Sequence, residues 1–237
     1  MQRLFAIGLA LVLGLVLSGP PGPARAGENL IVVELFTSEA CTNCQPAEAV
    51  MRDLSQWSDI LPLSLHVDYW DYMGWKDPYA LKVNVDRQMV YAARTERRRL
   101  FTPLIVVGGY DLIEGVAPMK IVDMIRQRRG APTGVSLDIQ QDGETFVLQA
   151  RSEKILPQGA VVVMVTFMPQ VTSTIRQGES DSRRAEHTNV VTGWYKLASW
   201  DGSEPLILRD KLPESEGVAV LIQSGAQDMI VAAKRLR

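Results

Sequence analysis

The sequence predicts an α/β domain followed by a small antiparallel β domain, behind an N-terminal export segment. Three observations carry this. Strand-like apolar runs alternate with amphipathic helical runs from Gly27 to about Arg129. After Gly130-Ala131-Pro132 the pattern changes to short alternating β-like runs parted by turn residues. A leading stretch, Met1 to Ala26, is apolar and unlike either part. The expected division is therefore 1–26, 27–130 and 131–237.

In the leader, Arg3 gives a short positive start and Leu4 to Leu17 is an unbroken run of apolar residues and glycine. That is the length of a signal-peptide core and short for a membrane span. Ala24-Arg25-Ala26 fits a small-x-small cleavage site, so cleavage is expected after Ala26. An uncleaved anchor is the alternative. No cysteine follows the run, which argues against a lipid anchor. Export implies a periplasmic or secreted protein in an oxidising compartment. Cleavage removes Arg3 and Arg25 and no acidic residue, so the net charge falls by two from −2, to −4. With no basic excess, nucleic acid is not an expected partner. No later stretch is long and apolar enough to span a bilayer.

Leu30 to Phe36 (LIVVELF) is a short, nearly continuous apolar run, which suits a buried parallel strand. Val50, Met51, Leu54 and Trp57 share one face of a helix over Ala47 to Trp57. Leu61 to Val67 is a second strand. Tyr79 to Leu100 reads as a charge-rich helix with Pro78 at its start, and Arg94, Arg97, Arg98 and Arg99 as its solvated face. Leu104 to Val107 is a strand, and Gly108-Gly109 lets Tyr110 to Ile113 pair back on it. Pro118 to Arg129 is a helix whose basic last turn suits its dipole. Beyond residue 131, Asp142-Gly143 is a hairpin signal between Val135–Ile139 and Phe146–Leu148. Further β-like runs are Val161 to Phe167, Asn189 to Tyr195, Pro205 to Leu208, Val218 to Ile222 and Met229 to Ala232. Their spacing predicts an antiparallel sandwich. The polar stretch Gln177 to Asn189 reads as a long loop.

Both cysteines lie in Cys41-Thr42-Asn43-Cys44. C-x-x-C alone occurs in zinc and redox sites. Here it follows a buried strand by a short polar loop and precedes a helix. At a helix N-terminus, unpaired N–H groups and the positive end of the dipole stabilise a thiolate, which is the nucleophile. Cys41 is thus the expected nucleophile and Cys44 the resolving thiol. Glu39 works against this, because a nearby carboxylate disfavours the thiolate. A structural disulfide is the plain alternative. Zinc on this pair would need two further ligands, and His187, the only histidine besides His66, falls in the predicted sandwich. No metal site and no cofactor is expected.

Thr102-Pro103 stands just before the strand Leu104 to Val107. Proline suits the first residue of a strand. If the bond were cis, the backbone of Thr102 would be available to an extended peptide. The order strand, C-x-x-C, helix, strand, helical insertion, Thr-Pro, hairpin, helix resembles the thioredoxin fold. That resemblance implies a cis Pro103 in contact with Cys41 and Cys44. A closer resemblance covers nearly the whole chain after the leader. VVELFTSEACTNCQPAE, LHVDYWDYMGWKDPYA, FTPLIVVGG and HTNVVTGWYKLASWDG resemble a family of exported bacterial thioredoxin-like proteins catalogued as a domain of unknown function. Its first motif more commonly has Gly, Ser, Ser and Pro where this chain has Ala40, Thr42, Asn43 and Gln45. Both thiols are kept.

Around the pair, His66 and Asp68 end the second strand, where ligand crevices form in open α/β sheets. Either could accept a proton near Cys44, and alternation would point both to one face. Tyr69, Trp70, Tyr72, Met73 and Trp75 form an aromatic loop with Gly74 as its hinge. Glu34, in an otherwise apolar strand, could take a proton from the resolving thiol if buried behind it. The expected function is an exported thiol–disulfide oxidoreductase acting on protein or small-molecule thiols and disulfides. Cys41, Cys44 and Pro103 are its core, with Glu34, His66, Asp68 and Thr102 supporting. The alternatives are a Cu(I)-handling protein, with His66 or Met73 as third donor, and a non-catalytic interaction module.

Overall fold

The computed structural model describes residues 29–96, 98–177, 181–225 and 229–237, without the side chains of residues 177 and 181. The leader, residues 1–26, lies outside them. No helix among the described residues is long and apolar enough to cross a membrane.

The strands β1 (Ile31–Thr37) and β2 (Ile60–His66) pair in parallel, joined by α1 (Gln45–Leu54). On the other edge of β1 lies antiparallel β3 (Leu104–Val107), which turns through Gly108-Gly109 into β4 (Asp111–Glu114). The helices α2 (Lys82–Ala93) and α3 (Pro118–Arg129) complete this part. The expected helix from Tyr79 to Leu100 is shorter at both ends. Asp77 captures the amides of Tyr79 and Ala80 in a turn, and Leu81 stays extended. At the far end the Thr95 hydroxyl bonds back to the Ala92 carbonyl, and Arg98 has a left-handed φ of 44°. Arg94 is not a solvated charge. Its guanidinium donates to the carbonyls of Gly109 and Tyr110, clamping the β3–β4 turn.

Beyond residue 131 come β5 (Val135–Asp142), β6 (Thr145–Ser152), β7 (Ala160–Gln177), β8 (Asp181–Trp200), β9 (Leu206–Lys211), β10 (Gly217–Ser224) and β11 (Ile230–Arg235). The expectation set these strands in a sandwich of their own. Instead one eight-stranded sheet runs β11-β10-β7-β8-β2-β1-β3-β4 through both parts, and only β5-β6-β9 forms a separate sheet. The seam is thin: Ser64 pairs with Val190, and the side chain of Asn189, at a φ of 48°, donates to the Pro62 carbonyl. Asparagine tolerates that conformation better than most residues.

Packing, more than strand pairing, makes the seam continuous. On one face Val32, Phe36, Leu63 and Leu65 share a core with Val165, Phe167, Val191, Ala219 and Leu221. On the other face of β1 and β3, Val33, Leu35, Ile105 and Val107 pack under α1 and α3. The three-stranded sheet lays Val135, Leu137, Phe146 and Leu148 against Val162, Met164, Val220 and Ile222. Alternation along β10 explains the division, since Val218, Val220 and Ile222 face one core and Ala219 and Leu221 the other.

The polar stretch read as a loop is instead the tip of the β7–β8 hairpin, paired from Gln170–Thr188 out to Gln177–Asp181. Its residues alternate. Thr172, Thr174, Arg184 and Glu186 are exposed, while Ser173, Ile175, Arg183, Ala185 and His187 turn inward. Apolar periodicity missed this strand because much of its inner face is polar.

Gly217 opens β10 beside Phe167, where an added Cβ would lie 2.2 Å from the buried ring. Gly217→Ala is therefore expected to cost about 1–3 kcal/mol through overpacking. A lower urea midpoint at unchanged slope would register it, and an unshifted midpoint would show that the ring yields.

Candidate functional site

The C-terminal ends of β1 and β2 build the site. After β1 the chain turns tightly, with the Ser38 carbonyl accepting from the Cys41 amide at 3.0 Å. Cys41 caps a single 3-10 turn, Thr42–Cys44, that runs into α1 with Pro46 in its first turn. Cys41 and Cys44 form a disulfide with Cα atoms 5.5 Å apart, and both are buried.

Cys41 lines two cavities. One, of about 460 Å³, is bounded by Ala40, Thr42, Asn43, Trp70, Met73, Gly74 and Thr102. The Thr102–Pro103 peptide bond is cis. Trp70 donates from Nε1 to the Thr102 hydroxyl at 2.8 Å and stacks on exposed Tyr72. The aromatic loop therefore borders the disulfide, with Gly74 in the left-handed region.

The second cavity, of about 290 Å³, lies under the β7–β8 tip. Cys41, Cys44, Glu39, Glu48, Arg183 and His187 are among the residues that line it. Glu39, fully buried, is its anchor. One carboxylate oxygen accepts from Ser173 and the other from Trp75 Nε1 at 2.7 Å, and its carbonyl accepts from Arg183 at 2.6 Å. Burial pushes its carboxyl up, but His187, Ser173 and Trp75 outweigh that and hold it below the usual range. The negative charge expected to oppose the Cys41 thiolate is thus tied into a network.

His66, fully buried, meets Asp77 through Nδ1 at 2.7 Å. The same carboxylate oxygen of Asp77 accepts from the Glu39 amide at 2.8 Å. Burial pushes the Asp77 carboxyl up, and the bonds from His66 and the amides of Glu39 and Tyr79 override it, leaving it low. His187 reaches in from β8 with its ring centroid 4.7 Å from that of His66. Its Nδ1 lies 3.2 Å from Glu48 and its Nε2 3.5 Å from Glu39. Burial lowers its basicity, but the two carboxylates win and raise its pKa to about 9. The separation assumed for His187, on which the expectation of no metal site rested, does not exist.

Two other sequence candidates stand apart. Asp68 lies beyond the end of β2 with an exposed side chain, so strand alternation does not apply to it. Asp77 is the carboxylate on His66 instead. Glu34 points to the α2 face, where Arg87 pairs with one oxygen and Tyr91 donates to the other at 2.6 Å. Arg87 also lies over the Trp194 ring at 4.5 Å. Sequence reasoning missed Asp77, Glu48, Ser173, Arg183 and His187. The alternation of polar residues in 182–187 was the one signal that could have found the last two.

Residues 32–223 match the family described as Protein of unknown function (DUF1223). The chain belongs to this family. A protein from Agrobacterium tumefaciens, solved by X-ray crystallography, is 31% identical to it with a TM-score of 0.74, over 88% of this chain and 95% of that one. A hypothetical protein from Pyrococcus horikoshii OT3 is 9% identical with a TM-score of 0.23, over 44% and 87%, too distant to support an argument. No curated protein matches.

The surroundings of Glu34 generate a prediction for this DUF1223 protein. Arg87→Met removes the charged partner of a carboxylate that is 0% exposed and leaves it the Tyr91 hydroxyl. Breaking a buried pair from one side costs about 3–5 kcal/mol. Urea unfolding should show a loss of that order while disulfide exchange at Cys41–Cys44 is retained. Lost exchange in a folded variant would instead connect Glu34 to the thiols.

Proposed function

We propose that this protein is an exported thiol–disulfide oxidoreductase built on a thioredoxin-like frame, acting on protein or small-molecule thiols and disulfides. The observation that carries the reading is the disulfide between β1 and α1, which borders a cavity shared with Thr102 and the aromatic loop. The order β1, C-x-x-C turn, α1, β2, insertion, cis-proline, β3, β4, α3 supports the frame. An oxidising compartment, expected from the leader, is where such chemistry is used.

In the reducing direction, the Cys41 thiolate attacks one sulfur of a substrate disulfide and the other sulfur leaves as a thiolate. The Cys44 thiol loses its proton and attacks Cys41 in the mixed disulfide. The second substrate sulfur leaves, and the protein is oxidised by two electrons as the substrate is reduced by two. In the oxidising direction the same steps run backwards, beginning with a substrate thiolate on the Cys41–Cys44 disulfide. The 3-10 turn places Cys41 at the start of the helical segment, where backbone N–H groups favour a thiolate. The cavity beside Thr102 suits an extended peptide, and Trp70 and Met73 on its wall supply apolar contact.

Trapping experiments test this. Cys44→Ala is expected to accumulate mixed disulfides that non-reducing electrophoresis detects, and Cys41→Ala is not. Cys41→Ser should abolish exchange with a small disulfide. If Cys41→Ser exchanges as fast as the parent, the pair is not the reacting centre.

A further inference from the structure

We propose that Glu48, His66 and His187 form a binding site for a divalent transition-metal ion of the zinc class, on the side of the disulfide that faces the β7–β8 tip. One donor atom from each residue lies within 4.8 Å of the other two. The three come from α1, β2 and β8, so the site bridges the sheet seam. All three residues are buried.

The decisive feature is how the nitrogens are used. The Asp77 carboxylate accepts from His66 Nδ1, which puts the hydrogen on Nδ1 and the lone pair on Nε2. His66 Nε2 has no hydrogen-bond partner among the described residues, and neither do Glu48 Oε1 or either ring nitrogen of His187. The His187 approaches to Glu39 and Glu48 are close, but they lack hydrogen-bond alignment. Buried polar atoms are nearly always paired, and each one left over needs an explanation. A carboxylate that holds a histidine by one ring nitrogen while the other points at further donors is a common support for a metal ligand.

The chemistry of the donors selects the ion. Two imidazoles and one carboxylate suit zinc and its late first-row neighbours, whereas magnesium and calcium prefer all-oxygen sites. On a tetrahedral ion with bonds of about 2.0–2.1 Å, neighbouring donors sit about 3.3 Å apart, so modest side-chain rotation closes the site. Three protein ligands leave a fourth position for water, beside the cavity that Glu48 and His187 line. Charge favours the same answer. Glu39, Glu48 and Asp77 are three carboxylates buried together, and the Arg183 guanidinium bonds to the Glu39 backbone carbonyl. Burial of unmatched charge is costly, and a divalent ion compensates it. An imidazolium at His187 is the competing compensator. No sulfur is among the donors, so binding does not require the thiols.

The test uses the full chain in its disulfide form, stripped with a chelator and titrated with Zn²⁺ by calorimetry and with Co²⁺ by visible absorption. One ion per chain is expected, with Co²⁺ d–d bands and no thiolate charge transfer. His187→Ala should weaken Zn²⁺ binding at least about 100-fold, and Asp77→Asn about 10–100-fold as an outer-shell partner. The Cys41→Ser, Cys44→Ser double variant should bind as the parent does. Circular dichroism in chelator checks the fold of each variant. If a histidine variant fails to fold, the Co²⁺ spectrum of the parent decides. Absence of binding by the oxidised parent overturns the proposal and leaves the imidazolium as the compensating charge. Binding that appears only on reduction and vanishes in the double serine variant also overturns it, and assigns the metal to the thiols.

Discussion

Glu39 sets the terms for the rest of the molecule. A carboxylate next to a C-x-x-C turn and removed from solvent must find donors, and the local chain supplies few. Its partners come from elsewhere in the chain: Trp75 from the aromatic loop and Ser173 from the β7–β8 tip donate to it, His187 of the same tip lies 3.5 Å away, and Arg183 donates to the Glu39 backbone carbonyl. Those needs explain why a hairpin extends so far beyond the core that roots it. The eight-stranded sheet likewise continues across residue 131. The seam has one ladder pairing, between Ser64 and Val190, but it has a shared apolar core and a shared polar site.

What could be read from the sequence was local. Ile31–Thr37 declares itself by β-branched apolar residues, α1 by the spacing of Met51 and Leu54, and the dithiol by two cysteines three positions apart. The Thr102-Pro103 step stood out by its place before a strand, although its isomer came only from resemblance. The hidden features depend on partners outside the local sequence pattern, from 11 residues away for Asp77 on His66 to 134 for Ser173 on Glu39. His187 looked like an isolated histidine because nothing in its neighbourhood mentions Glu39 or Glu48. Glu34 was legible as a buried carboxylate but not as the partner of Arg87, because helical periodicity does not say which strand residue a helix will meet. Asp68 shows the opposite error: alternation was extended two residues past the point where β2 ends.

Polarity misled in a particular way. Hydrophobic patterning finds strands whose inner face packs on apolar residues. The segment 182–187 has its inner face on a polar cleft, so its inward residues are Arg183, Ala185 and His187. A strand lining a site reads as a loop for the same reason that it lines a site.

The two cavities at Cys41 divide the work that the proposed chemistry requires. The one beside Thr102 and Trp70 is also lined by exposed Met73, with exposed Tyr72 stacked on Trp70, and would suit an incoming chain. The one beneath the hairpin tip is lined by carboxylates, a histidine and the arginines Arg52, Arg183 and Arg184, and so gathers charge beside Cys41. A thiolate forming at Cys41 adds negative charge to a place that already holds Glu39 and Glu48. Any positive charge held there, whether an imidazolium or a bound cation, favours that thiolate. Under the proposed function the hairpin would bear on thiol reactivity without touching a substrate. In the proposed chemistry, the electrostatic adjustment that the sequence between the cysteines lacks would come from the histidine on β8.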